Sequence, residues 1–282
     1  MPYILRKNPA VIAGLEATAD IRAEAMTSLA DSSAGLVFEP VEHRYFLGAR
    51  EMRSVSSIVE SFVPFDAEAT AKKVANNPRH PLYGKTVEEI VATWKAAGRA
   101  AADDGTRLHA FGEACFLYMT GREDEIEEEY RDRISPDGLV AIDEKEMAVA
   151  RWWNDTDWNR YVPVAKETRI VNVLLKYAGT FDLLLYDRLS CSFVVFDYKS
   201  NKDLYKWFGE WLKAPLTMIK GNDVGKYTVQ QTLYTIQLRN CGLTVTANNL
   251  IWLRDDGTYE TVRLDMTFDR IIEYAVRQMP VT

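Results

Sequence analysis

The run Phe193-Val194-Val195-Phe196 ends in Asp197-Tyr198-Lys199, a β-branched and aromatic stretch that predicts a strand buried on both faces. Side chains alternate along a strand, so Asp197 and Lys199 project from one face, about 7 Å apart. A second charge has similar surroundings. Asp182 lies within Ala178-Gly179-Thr180-Phe181-Asp182-Leu183-Leu184-Leu185-Tyr186, again an apolar strand pattern. A carboxylate buried in such a run must be paired or bind a metal, because its desolvation is otherwise too costly. Two arrangements meet that requirement: a structural ion pair between Asp182 and Lys199, or a metal site with an ammonium beside it for an anionic substrate.

The pattern around these strands predicts the architecture. Val162–Thr168, Ile170–Leu175, Gly179–Tyr186 and Ser192–Tyr198 read as four successive strands, with turns at Lys176-Tyr177-Ala178 and Asp187–Cys191. Upstream, the Ala-rich first thirty residues predict helix, Leu36–Phe38 and Arg44–Leu47 a hairpin closed by Gly48, and Ser54 the start of another helix. From Asp66 to Arg133 the signals are helical, with Asp66 as one cap and Thr86 with Glu89 as a TxxE capping box. A helix over Ala141–Trp158 leads into the strands. Beyond them, Gly225–Asn240 predicts a helix, Thr244–Arg254 and Thr258–Leu264 a hairpin, and Thr267 the cap of a terminal helix. The expected fold is α/β: a mixed central β-sheet flanked by helices, with an N-terminal helical insertion. Residues 1–65, 66–160 and 161–282 are expected to form one structural unit.

With 282 residues, 47% hydrophobic and 27% charged, the composition excludes collagen-like, coiled-coil and disordered classes. The apolar runs fall far short of the ~20 residues that span a bilayer, so no membrane partner is expected. Glu16, Asp20 and Glu24 offset Arg6, Lys7 and Arg22, unlike an organellar transit peptide. Cys115, Cys191 and Cys241 match neither a disulfide framework nor a CxxC site, which points to a reducing, cytoplasmic compartment. The net charge of −7 is unevenly spread. Glu123–Glu146 carries eleven acidic and three basic residues, while Lys72–Arg107 has seven Lys/Arg against four acids and Lys199–Lys226 six lysines against three acids. A charge run is commonly a solvated face, and the acidic stretch Glu123–Glu129 is expected to face solvent.

His109 stands in Gly105-Thr106-Arg107-Leu108-His109, with Glu113 one helical turn on, and Gln230 and Tyr234 stand four apart on one helix face. A lone helical histidine is more often a packed residue than a ligand, and a Gln/Tyr pair more often structural. Together and in this order, however, these elements resemble the RecB-like branch of the PD-(D/E)XK nuclease superfamily. Gly105 to His109 looks like its GxxxH helix motif, Gly179 to Asp182 like its first-carboxylate strand, and Asp197-Tyr198-Lys199 like its DxK strand. Gln230 to Tyr234 is similar to its QxxxY helix motif. The resemblance covers Asp103 to Arg254. Looser likeness extends to Arg44–Gly48 and Arg53–Ile58, similar to a segment of phage-type exonucleases and of the mitochondrial single-strand DNA exonuclease. Four clustered cysteines, which hold an iron-sulfur cluster in several relatives, are missing, so no such cluster is expected.

The resemblance implies a restriction-endonuclease-like core and a metal-dependent exonuclease acting on a free DNA end, with single-stranded substrates favoured over duplex. It implies that His109, Asp182, Asp197 and the Tyr198 carbonyl hold Mg²⁺ or Mn²⁺, with Glu167 and Glu113 as possible additions. Lys199 would position or deprotonate the attacking water, and Gln230 and Tyr234 would orient substrate or lysine. Both basic stretches flank the implied site, so Lys72, Lys73, Arg99, Arg107, Lys202 and Lys206 are expected to track the DNA backbone, with Trp94, Trp207 and Trp211 as stacking platforms. The implied setting is phage or bacterial recombination, repair or genome processing, with a recombination or replication protein as a further partner. Alternatives are a processive duplex exonuclease forming a ring, a restriction endonuclease, and a nuclease-fold DNA-binding protein without catalysis.

Overall fold

The structure, a computed structural model, describes residues 3–280, so the extreme ends of the expected ranges 1–65 and 161–282 lie outside it. The chain opens with strand β1 (Tyr3–Leu5), helices α1 (Pro9–Ala17) and α2 (Ala19–Ser32), and three short strands, β2 (Leu36–Glu39), β3 (Arg44–Leu47) and β4 (Arg50–Ser54). Helices α3 (Val55–Phe62), α4 (Ala67–Ala75), α5 (Val87–Met119) and α6 (Glu128–Arg131) follow, with one 3-10 turn at Glu123–Glu125. Next come β5 (Ile134–Ser135), β6 (Gly138–Ala141), α7 (Glu144–Asp155) and the long strands β7 (Tyr161–Asn172), β8 (Tyr177–Asp187) and β9 (Ser192–Lys199). Helix α8 (Asp223–Asn240), the hairpin β10 (Val245–Leu253) and β11 (Tyr259–Arg263), and α9 (Asp269–Arg277) complete it.

The fold class is as expected, a mixed eight-stranded sheet between helices, and several elements differ from the pattern-based reading. The two strands expected at 162–168 and 170–175 are one strand, β7, which keeps its pairing to β8 through Glu167 although that residue has φ 36°. Tyr177 and Ala178, expected in a turn, open β8 instead. Gly48 leads into a third strand, β4, which joins the main sheet beside β8. Tyr3–Leu5 is strand, not helix, and pairs with Gly138–Ala141, expected in part as helix, in a separate small sheet β1-β6-β5. These segments are too short to show a period, and tertiary pairing decides them. Asp66 and Thr86 cap as expected, the latter in a complete capping box with Glu89. Thr267 does not cap α9: the cap position is Phe268, and the Thr267 N–H donates to Asp265 Oδ1 over 2.8 Å.

Alternation along the strands builds two cores. Leu184, Tyr186, Phe193 and Val195 pack with α3, α8 and α9, whereas Leu183, Leu185, Val194 and Phe196 pack with α5 and α7. The α5 helix, 33 residues and about 50 Å long, leaves its first half largely exposed and buries its second half against Tyr198 and Trp153.

The sheet forks where the site lies. Strand β7 takes one edge of β8 along its whole length, while the other edge is shared by β4, paired at Tyr177–Ala178, and β9, paired at Leu183–Asp187. Residues Gly179–Asp182 are left between the two branches. At that opening, Gly179 is packed so closely that a Cβ would lie 2.8 Å from Tyr234 Cε1 and 2.9 Å from Val55 Cγ2. Gly179→Ala is therefore expected to destabilise by about 1–3 kcal/mol through overpacking. Gly98→Ala, in an exposed turn of α5 with open space around it, is expected to stabilise by about 0.5–1 kcal/mol. Urea denaturation of both variants measures the contrast.

Candidate metal centre

Three carboxylates stand in a row across three neighbouring strands. Lys166 pairs with Leu183 and Thr168 with Phe181, which brings Glu167 level with Asp182. Leu183 pairs with Phe196, which brings Asp182 level with Asp197. In-register neighbours have Cβ atoms about 5 Å apart. The left-handed backbone at Glu167 is unfavourable by about 1–3 kcal/mol for a non-glycine residue, and such conformations cluster at functional sites.

Helix α5 brings His109 to this row, with Nδ1 3.0 Å from Glu167 Oε1 and 3.4 Å from Asp182 Oδ1. One ligand atom from each of His109, Glu167 and Asp182 lies within 4.8 Å of the others, a group that could hold a metal ion. Asp182 Oδ2 accepts the Tyr198 backbone N–H over 2.7 Å, which fixes the carboxylate. The Tyr198 hydroxyl in turn accepts the Trp153 indole N–H at 2.9 Å, so that ring is a packing element between α5 and α7.

Asp197 is not a member of the three-residue group. It is completely buried, its Oδ2 is in ion-pair contact with Lys199, and its Oδ1 accepts no hydrogen bond. Lys199 thus pairs with Asp197, not with Asp182 as the structural alternative had it. Glu167, a secondary expectation, is the residue that completes the group, whereas Glu113 is engaged by Lys166.

Charge decides what this arrangement needs. Glu167, Asp182 and Asp197 face one ammonium, Lys199; with His109 neutral and the carboxylates ionised, the state in which they could ligate a metal, the site is short of two positive charges, the charge of a divalent cation. Two features show the strain of that deficit. Burial first, and then the charge of Asp197, push the Asp182 carboxyl well above its usual range. Burial works against the Lys199 ammonium, but Asp197 and Asp182 outweigh it and push the lysine up. Lys199 is therefore held as a cation beside Asp197. With oxygen and imidazole donors and an orphaned buried carboxylate oxygen, the residues present fit a divalent ion.

His109, Glu167, Asp182, Lys199, Gln230 and Tyr234 line one cleft of about 790 Å³. Gln230 Nε2 donates to the Tyr234 hydroxyl over 3.1 Å, so the pair on α8 is a hydrogen-bonded unit. The expected backbone-tracking cations are elsewhere. Lys72, Lys73, Arg99, Lys202 and Lys206 are exposed and do not line the cleft. Arg107 is held by Asp104, Asp143 and Glu146. Trp94 packs on Phe65, and the half-exposed Trp207 and Trp211 meet edge to face at 5.3 Å, all outside the cleft. Glu127, from the stretch expected to face away, lines the cleft, as do Lys166 and Arg169. Arg169 could have been found from spacing, since it follows Glu167 by two residues on the same strand.

No protein-family model and no curated protein matches the chain, so the chemistry of the cleft rests on its own residues. No helix among the described residues is long and apolar enough to cross a membrane.

His109 carries a pH dependence whose sign is set by its neighbours. Burial lowers its affinity for a proton, but the Asp182 charge and the Glu167 hydrogen bond outweigh burial and raise its pKa from 6.5 to about 9. A raised folded-state pKa contributes stability that is complete below about 6.5 and lost as pH rises through about 9. Thermal melts in EDTA are expected to fall across that window, and His109→Asn to flatten the fall. A ligating imidazole must be neutral, so divalent-ion binding is expected to strengthen over the same window and release a proton, as calorimetry in buffers of different ionisation enthalpy reads.

Proposed function

We propose that the chain is a metal-dependent deoxyribonuclease of the PD-(D/E)XK type that hydrolyses DNA from a free end, single strands in preference to duplex. The observation that carries this reading is the row Glu167, Asp182, Asp197 with Lys199 and His109, short of two positive charges and opening into a cleft lined from both helical layers. His109, Glu167 and Asp182 would hold the ion, with Asp197 behind them; oxygen-rich donors favour Mg²⁺, and the imidazole makes Mn²⁺ at least as good. A bound divalent ion supplies an activated water and stabilises charge on the phosphate and leaving oxygens.

The protein groups have separate tasks. Tyr198 N–H and the sheet hold Asp182 in orientation, which lowers the reorganisation needed when charge develops. Lys199, kept protonated by Asp197, places a positive charge beside the phosphate that gains charge during attack. The Gln230–Tyr234 pair borders the lysine from α8 and leaves one Gln230 amide oxygen and one N–H direction for substrate or water. Helix α5 on one side and the β2–β3 hairpin on the other bound the cleft, which supports a strand entering by its end over a duplex about 20 Å wide.

Purified protein with Mg²⁺ or Mn²⁺ is expected to degrade linear single strands, spare closed circles and cut blunt duplex slowly, and EDTA to abolish all cleavage. Lys199→Ala and Asp182→Asn are each expected to lower kcat by about 10²–10³-fold or more with the circular dichroism spectrum unchanged. Lys199→Ala also leaves the buried Asp197 without its partner and is expected to cost about 3–5 kcal/mol of stability, so Asp182→Asn carries the test of chemistry; were the row only structural, the wild type would have no metal-dependent cleavage to lose. Wild-type protein inert on every strand with either metal would overturn the reading.

A further inference from the structure

Opposite the carboxylates, the cleft has a wall that the metal chemistry does not use. Phe38, His43 and Tyr45, on the β2–β3 hairpin, line it together with Arg169 of β7. The three rings form a corner: Phe38 to His43 is edge to face at 5.0 Å, Phe38 to Tyr45 is tilted at 4.8 Å, and His43 to Tyr45 is edge to face at 5.9 Å. Tyr45 anchors the corner to the sheet, its hydroxyl 3.1 Å from Thr180 Oγ1. His43 reaches it through a left-handed backbone, φ 54°, a conformation uncommon for a residue other than glycine. The tip itself is fixed, because the Glu39 carboxylate accepts the N–H groups of Val41 and Glu42 at 2.8 and 2.7 Å.

The charges of this wall point the same way. Arg44 is neutralised by Glu42 and Glu51, Lys166 by Glu113 and Lys199 by Asp197. Arg169 forms no ion pair among the described residues; its guanidinium sits 5.1 Å over the Phe38 ring and is exposed. It is the cation of the cleft still available to an anion, and its planar fork suits a phosphate.

From this juxtaposition we propose that the aromatic corner and Arg169 form a nucleotide subsite, in which an unpaired base stacks on the exposed His43 ring, backed by Phe38 and Tyr45, while an adjoining phosphate takes the Arg169 guanidinium. The proposal rests on the nuclease reading and deepens it: the subsite selects a strand whose bases are free to leave the stack, because a base inside a duplex has both faces covered by its stacked neighbours and its edge held by its partner. Aromatic platforms beside backbone-directed cations grip single strands without reading sequence.

The test is fluorescence anisotropy of a labelled single-stranded oligonucleotide in Ca²⁺, alongside a strand of equal length made of abasic residues, with wild type, His43→Ala and Arg169→Gln. Both side chains are exposed, so the fold tolerates either change. His43→Ala is expected to weaken the intact strand about tenfold and leave the abasic strand unchanged. Arg169→Gln is expected to weaken both strands and to reduce the slope of log affinity against log salt by about 0.7, the contribution of one phosphate on a single strand. Equal weakening of intact and abasic strands by His43→Ala, or an unchanged salt slope in Arg169→Gln, would overturn the subsite. A wild type that binds strands while both variants match it would remove the subsite and leave the nuclease reading standing. A wild type that binds no strand would remove both.

Discussion

Repulsion among Glu167, Asp182 and Asp197 is the constraint to which the rest of this structure answers. At about 5 Å, two unit charges in a protein-like dielectric near 20 repel by about 3 kcal/mol, and the sheet register holds three such groups side by side. The chain supplies one ammonium against Asp197, one imidazole between Glu167 and Asp182, and one backbone N–H for Asp182. These lessen the repulsion without cancelling it. A divalent cation would remove what is left, so the strand pairing itself creates a group that could hold a metal ion.

That centre is accessible because the sheet splits beside it. Between the β4 and β9 branches, Gly179–Asp182 have no neighbouring strand on one edge. Helix α5 reaches the opening from one layer with His109, and α8 reaches it from the other with Gln230 and Tyr234. Close packing keeps both helices in place: a Cβ on Gly112 would lie 2.7 Å from the Tyr198 ring, and one on Gly179 would meet Tyr234. The small residues at these contacts therefore belong to the geometry of the cleft as much as the charged ones do.

Part of the acidic stretch Glu123–Glu146 is structural. Glu146, almost fully buried, receives both Arg107 and Arg133; Glu123 meets Lys7, and Glu125 meets Arg122. Arg107 is thereby engaged by carboxylates, although its place in the basic stretch leading into His109 suggested a phosphate contact. Ion pairing across distant segments, not local density of charge, selects which cations remain free, and among the described residues it leaves Arg169 in the cleft without an ion-pair partner.

Much of the fold was legible from period alone, because buried strands such as Phe193–Lys199 and the capped helices α4 and α5 carry strong local signals. Asp182, Asp197, Lys199, His109, Gln230 and Tyr234 also stood out as charged or polar residues at marked spacings, and the structure gathers all but the wholly buried Asp197 around one cleft. Other features depended on contacts far apart in sequence. Short strands such as β1, β4 and β6 exist only through their partners, so no periodicity announced them. The place of Glu167 in the ligand group, the pairing of Lys199 with Asp197, and the loss of Arg107 to Glu146 follow from register and burial. Local sequence determined which residues could carry chemistry, through alternation and the high energy of burying a charge. Tertiary structure alone decided which of them meet, because strand register sets neighbours to within a few ångströms and a one-residue slip would turn each carboxylate to the opposite face.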